Sequence, residues 1–99
     1  DKHTVAPFIL TKAPSISMKQ LATLVNQVDT RASISLEGNK LHAEFTSRIF
    51  GFVDDLDLVS NNNTIHVRSA SRTGYYDFGV NRRRVEKLRF ILKEQGIIQ

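Results

Sequence analysis

The sequence predicts an α+β fold in the order α-β-β-β-β-α, a four-stranded antiparallel meander with two helices packed on one face. Three observations predict it. A helix-period apolar stripe lies toward each end of the chain, four runs of alternating polarity lie between them, and Gly38-Asn39 joins the first two runs by a two-residue turn.

Pro14, Ser15 and Ser17 precede the first helix, which opens on the capping-box spacing Ser17-Met18-Lys19-Gln20 and repeats Leu21, Leu24, Val25 and Val28 on one side. Ala32, Ile34 and Leu36 then alternate with polar residues, as do Leu41, Ala43, Phe45, Ser47 and Ile49 after the turn. Matching the inward faces pairs Leu36 with Leu41, Ala32 with Phe45 and Glu37 with Lys40. Phe50 to Val53 reads as a turn, Asp54 to Val59 as a third strand, Ser60 to Asn63 as another turn, and Thr64 to Ser71 as a fourth strand. A register that faces Ser47 with Leu56, and Leu56 with Val67, gives outward rows Arg48, Asp55, Arg68 and Thr46, Asp57, His66, and sets inward Asp54 level with Ser69. In the second helix Val85, Leu88 and Leu92 form the buried stripe, with Asn81 on it and Arg84 and Ile91 on its flank. Arg82, Arg89 and Lys93 fall opposite, Gly96 ends the helix, and Phe90 is either covered by the N-terminal segment or exposed for a partner.

With 99 residues, 40% of them apolar and 24% charged, the chain has the size and composition of one small domain, residues 1–99. The absence of cysteine excludes disulfides, thiol nucleophiles and zinc–thiolate sites, and no apolar run reaches the roughly 20 residues that span a bilayer. Net charge is +4 but is uneven: Arg68 to Gln99 carries eight Lys/Arg against three acids, and Asp1 to Val67 six against seven. Localised basicity points to an acidic partner. Its densest part, RSASRTGYYDFGVNRRR from Arg68 to Arg84, holds five arginines and one acid, Asp77, and runs into the positive end of the second helix.

FGFVDDLDL (50–58) followed by RSASRTGYYDFGVNRRRVE (68–86), together with Ala6-Pro7-Phe8 and the strand AEFTSRIF, resembles the domain of unknown function 1499 family over about residues 5–95. That family's pattern is an FVDD stretch, then RSxSRxGxxDxGxNRxR. The resemblance implies no established activity. It does imply an exported or membrane-associated setting on the periplasmic side, since members in bacteria and photosynthetic eukaryotes often follow a signal, lipoprotein or anchor segment. Many members also carry an N-terminal piece with an Asn-Cys-Val-Ser-like run, which is not found in this chain.

Among the candidate chemistries, Asp54, Asp55 and Asp57 do not converge, because alternation puts Asp55 and Asp57 outward and Asp54 inward. His3, His42 and His66 lack metal-ligand spacing, so no metal or cofactor is expected. Ser69 and Ser71 lack a nucleophile elbow and read as hydroxyl donors. Gly74 and Gly79 bracket a loop able to present N–H groups to an anion, with Asp77 capping the helix or bracing Arg72. Ser69, Ser71, Asp54, Asn81 and Arg84 converge at one end of the helix-covered face, whereas Arg68 and Arg72 point outward.

The leading expectation is a non-catalytic binding or scaffold domain for a small anion or acidic partner. Its ligand-binding set is Arg68, Ser69, Ser71, Arg72, Asp77, Asn81 and Arg84, with Asp54 as an addition. The alternatives are a small enzyme with Asp54 or Asp77 as general base beside the arginines, and a membrane-surface or protein-interaction module, using Arg82, Arg89, Lys93 and Phe90, in which the arginine motif is purely structural. Nucleic acid is disfavoured because the consecutive Arg82, Arg83 and Arg84 spread around the helix rather than forming a stripe.

Overall fold

A computed structural model of the chain describes residues 5–11, 16–47, 51–72 and 79–99. Strand β1 (Phe8–Ile9) is followed by helix α1 (Met18–Val28), strands β2 (Ser33–Glu37), β3 (Lys40–Thr46), β4 (Val53–Asn61) and β5 (Thr64–Ser71), and helix α2 (Val80–Glu94). The sheet is antiparallel throughout, in the order β1-β5-β4-β3-β2. The expected α+β architecture is present, with one strand more than the sequence pattern showed. β1 has two residues, too few for an alternation to be seen. Phe8 is fully buried opposite Ile65, and Leu10 bridges to Ile98 beyond the end of α2, so long-range pairing holds this segment in place.

Local chemistry accounts for the helix ends. Ser17 Oγ accepts the Gln20 N–H at 3.1 Å and caps α1, as the sequence spacing predicted. At the end of α2, Gly96 is left-handed (φ 71°), the Gly96 N–H donates to the Lys93 carbonyl and the Ile97 N–H to the Leu92 carbonyl. This six-to-one closure satisfies the last-turn carbonyls and turns the tail back toward β1.

Both helices cover one face of the sheet. Leu21, Leu24 and Val25 of α1 and Val85, Leu88 and Leu92 of α2 share a core cluster with Leu41, Ala43, Phe45, Leu56, Leu58, Ile65 and Val67 of the strands. Apart from Asp54, the charged side chains of β3, β4 and β5 lie on the opposite face. Leu36 follows the inward pattern yet stays exposed on the edge strand β2.

The β2–β3 hairpin has the expected register, Leu36 opposite Leu41 and Glu37 opposite Lys40. The next two registers differ from expectation. Leu56 faces Ala43 and Ser69 rather than Ser47 and Val67. The β4–β5 turn contains only Asn62 and Asn63, since Asn62 adopts a left-handed conformation (φ 57°) that lets Asn61 pair with Thr64. Between β3 and β4, Val53 belongs to the strand and pairs with Thr46, so the connection is longer than the four-residue turn expected. There Ser47 Oγ accepts the Phe52 N–H at 3.0 Å, and the Ser47 N–H donates to the Phe52 carbonyl at 2.8 Å. Both slips are even, so the inward and outward faces survive while the cross-strand partners change. The outward rows become Glu44, Asp55, Ala70 and His42, Asp57, Arg68, and Asp54 lies opposite Ser71 instead of level with Ser69. Arg48 of the expected row lies outside the described residues.

Candidate functional site

The arginine-rich segment supplies side chains to both faces of the sheet. On the helix-covered side, Arg84 projects from the first turns of α2 with 9% of its side chain exposed. Its Nη1 donates to Asn81 Oδ1 at 2.8 Å and lies 3.5 Å from Asp54 Oδ2, while Nη2 lies 3.8 Å from Asp29 Oδ2. The guanidinium stacks over Phe45 at 4.0 Å from the ring centroid, a cation–π contact at the margin of the core. Burial pushes the Arg84 pKa down, and the neighbouring Asp54 and Asp29 partly offset that shift. Asp29 ends α1 as its C-cap and accepts from the Arg31 backbone N–H at 3.0 Å and from the Arg31 guanidinium at 3.1 Å. Burial acts to raise the Asp29 carboxyl pKa, but the Arg31 hydrogen bonds, with the charges of Arg31 and Arg84, outweigh it and hold the pKa below its ordinary value.

Ser71 lies opposite Asp54, and Ser69, opposite Leu56, is buried on this same face. The structure thus brings Asp54, Ser71, Asn81 and Arg84 together and adds Asp29. No sequence signal ties Asp29 to Arg84, because the contact depends on how α1 and α2 pack.

On the uncovered side Arg72 makes a second network. Its Nε and Nη2 donate to Asp55 Oδ2 and Oδ1 at 2.9 and 3.0 Å, and Nη2 lies 2.9 Å from Glu44 Oε2. Half of this side chain is exposed, and the Asp55 hydrogen bonds raise the guanidinium pKa. His42 stands beside it, with Nδ1 2.7 Å from Asp57 Oδ1 and Nε2 3.2 Å from Asp55 Oδ1 and 3.3 Å from Glu44 Oε2. Three carboxylates raise the His42 pKa: its hydrogen bond to Asp57 is the largest cause, burial opposes it, and Glu44 and Asp55 reinforce it. Histidine spacing set His42 aside and Glu44 was not singled out from sequence, since the expected register hid their place beside Asp55 and Asp57.

Arg68 lies opposite Asp57 on this face, exposed and without an ion pair among the described residues. Arg82 on α2 is likewise exposed and without an acid partner among those residues. Asp77 lies outside the described residues, as do its neighbours 73–76 and 78. The N-cap of α2 is Gly79 (φ 80°), whose carbonyl accepts the Arg83 N–H at 2.9 Å, and no acid occupies the first turn. Arg89, expected opposite the buried stripe, instead turns toward β1. Its Nη2 donates to the Ala6 carbonyl at 3.0 Å and its guanidinium lies 4.8 Å from the Phe8 centroid, because the unforeseen strand extends the covered surface beneath α2. Phe90 is 63% exposed. Among the described residues no helix is long and apolar enough to cross a membrane.

These features define a class: a small α+β domain with one face of an antiparallel sheet under two helices, and a separate arginine–carboxylate network on each face. Residues 1–92 match the family described as protein of unknown function, DUF1499, and the chain belongs to that family. No curated protein and no solved structure matches the chain.

Proposed function

We propose that the chain is a non-catalytic binding or scaffold domain that takes a small anion or an acidic partner through its arginine-rich segment. One observation carries the reading: the segment's arginines are unequally neutralised. Arg84 is buried against Asp54, Asn81 and Phe45, whereas Arg68 and Arg82 are solvent-facing with no acid partner among the described residues. Arg84, Asp54 and Asn81 then brace the segment, and Arg68 leads the contact, with Arg72 beside it. Ser69, Ser71 and Asp77 complete the proposed region. The engagement of Asp54 by Arg84 supports a bracing carboxylate more than a general base.

Differential scanning fluorimetry against phosphate, sulfate, citrate, an acidic peptide and anionic vesicles tests the reading. A ligand bound only by the native state raises stability by about 2.7 kcal/mol at a hundred times its Kd. The wild type is expected to show a saturable rise in Tm with at least one of these. Arg68→Ala is expected to abolish that rise and leave the ligand-free Tm unchanged. A rise that survives both Arg68→Ala and Arg82→Ala removes the proposal, as does the absence of any rise.

A further inference from the structure

The uncovered face carries a second constellation that the anion reading does not use. His42 Nε2, Glu44 Oε2 and Asp55 Oδ1 converge from β3 and β4, each residue offering one ligand atom, and those atoms lie within 4.8 Å of one another. The imidazole nitrogen is 3.3 Å from the Glu44 oxygen and 3.2 Å from the Asp55 oxygen. Ligands about 2.0–2.1 Å from a tetrahedral metal lie roughly 3.4 Å from one another, so these two separations are close to edges of such a coordination shell. The other imidazole nitrogen, Nδ1, is 2.7 Å from Asp57 Oδ1. A carboxylate in that position fixes the tautomer that presents Nε2 as an acceptor, the usual arrangement behind a metal-bound histidine.

Charge favours a cation at the same point. With a neutral imidazole, the three carboxylates Glu44, Asp55 and Asp57 stand against two guanidiniums, that of Arg72 among them and that of Arg68 opposite Asp57, which leaves one negative charge in excess on this face. Arg72 Nη2 occupies part of the space, 2.9 Å from Glu44 Oε2 and 3.0 Å from Asp55 Oδ1. Its side chain is half exposed, so it can leave for solvent without uncovering any of the core.

We infer that His42, Glu44 and Asp55 form a binding site for a divalent transition metal of the zinc type, with Asp57 as the outer carboxylate and Arg72 as the cation that the metal displaces. One nitrogen and two oxygens suit zinc, cobalt or nickel better than magnesium or calcium, which prefer oxygen alone. The expectation of no metal rested on histidine spacing, and this set needs one histidine and two strands. The inference does not depend on the anion reading, because its ligands are acids and an imidazole; the two share only Arg72, which pairs with Glu44 and Asp55 here.

Calorimetric titration of untagged, chelator-stripped protein with ZnCl2, and with CoCl2 followed by visible absorption, provides the test. The expected result is saturable one-to-one binding with a tetrahedral cobalt spectrum. His42→Gln and Asp55→Asn are expected to weaken it more than tenfold, and Asp57→Asn about ten- to a hundredfold. Arg72→Ala is expected to bind zinc more tightly than the wild type, a change that an imidazolium held among carboxylates without metal does not produce. His66→Gln is expected to bind as the wild type does. Circular dichroism confirms folding of each variant, and Glu44→Gln replaces any that does not fold. No one-to-one binding by either the wild type or Arg72→Ala overturns the inference, as does zinc affinity that is indifferent to His42 or is weakened by Arg72→Ala.

Discussion

Asp54 and Asp55 are consecutive residues of one strand, and each engages an arginine on a different side of the sheet. Arg84 meets Asp54 beneath the helices, with 9% of its side chain exposed, while Arg72 meets Asp55 in the open with 51% exposed. Their titration shifts run in opposite directions. Burial lowers the pKa of Arg84, and hydrogen bonding to Asp55 raises that of Arg72. The same pair of residue types is therefore a costly buried brace in one place and a solvated, exchangeable contact in the other. An arginine in the motif cannot be assigned a role from its residue type; the face on which it lands decides.

Removing the covered arginine gives the largest expected effect. Arg84→Ala leaves Asp54 and Asp29 partly buried without their shared cation and is expected to cost about 3–5 kcal/mol, measured by urea denaturation. Arg84→Lys keeps the charge but loses the planar stack on Phe45, and is expected to fall between the wild type and the alanine variant. Asp54→Asn follows, at about 1–3 kcal/mol, because Arg84 keeps Asn81 and the more distant Asp29. Asp55→Asn and Arg72→Ala are expected to shift the denaturation midpoint much less than Asp54→Asn. Equal losses on the two faces would break the comparison.

A pH prediction sharpens the comparison from the covered side. Asp29 has its folded pKa lowered below that of the unfolded chain, so its contribution is present above the unfolded value of about 3.9 and is lost as pH falls through the folded one. Asp29→Asn is therefore expected to flatten the acid limb of the stability profile below about pH 4, as measured by thermal melts across pH. The smallest effect is expected at Phe90, 63% exposed on α2. Phe90→Ser should change stability by no more than about 0.5 kcal/mol.

Local periodicity made much of this legible from sequence. The capped start of α1, the stripe of α2, the tight β2–β3 hairpin and the division of Asp54 from Asp55 all follow from patterns that repeat every two or 3.6 residues. Registers across the longer connections did not follow, because they depend on turn geometry. Even slips preserved each side chain's face while exchanging Thr46 for His42 as the partner of Asp57. Asp29 beside Arg84, and Arg89 over Phe8, arise from packing between elements distant in sequence, and no local pattern encodes them.

The turn-back at Gly96 brings the Gln99 N–H within 2.8 Å of the Ile9 carbonyl, and the Thr11 N–H within 3.0 Å of the Ile97 carbonyl. The last residues of the described fold are thus tied to its first strand. Removing residues 97–99 would therefore take a backbone partner from both Ile9 and Thr11, loosening the first strand as well as the tail.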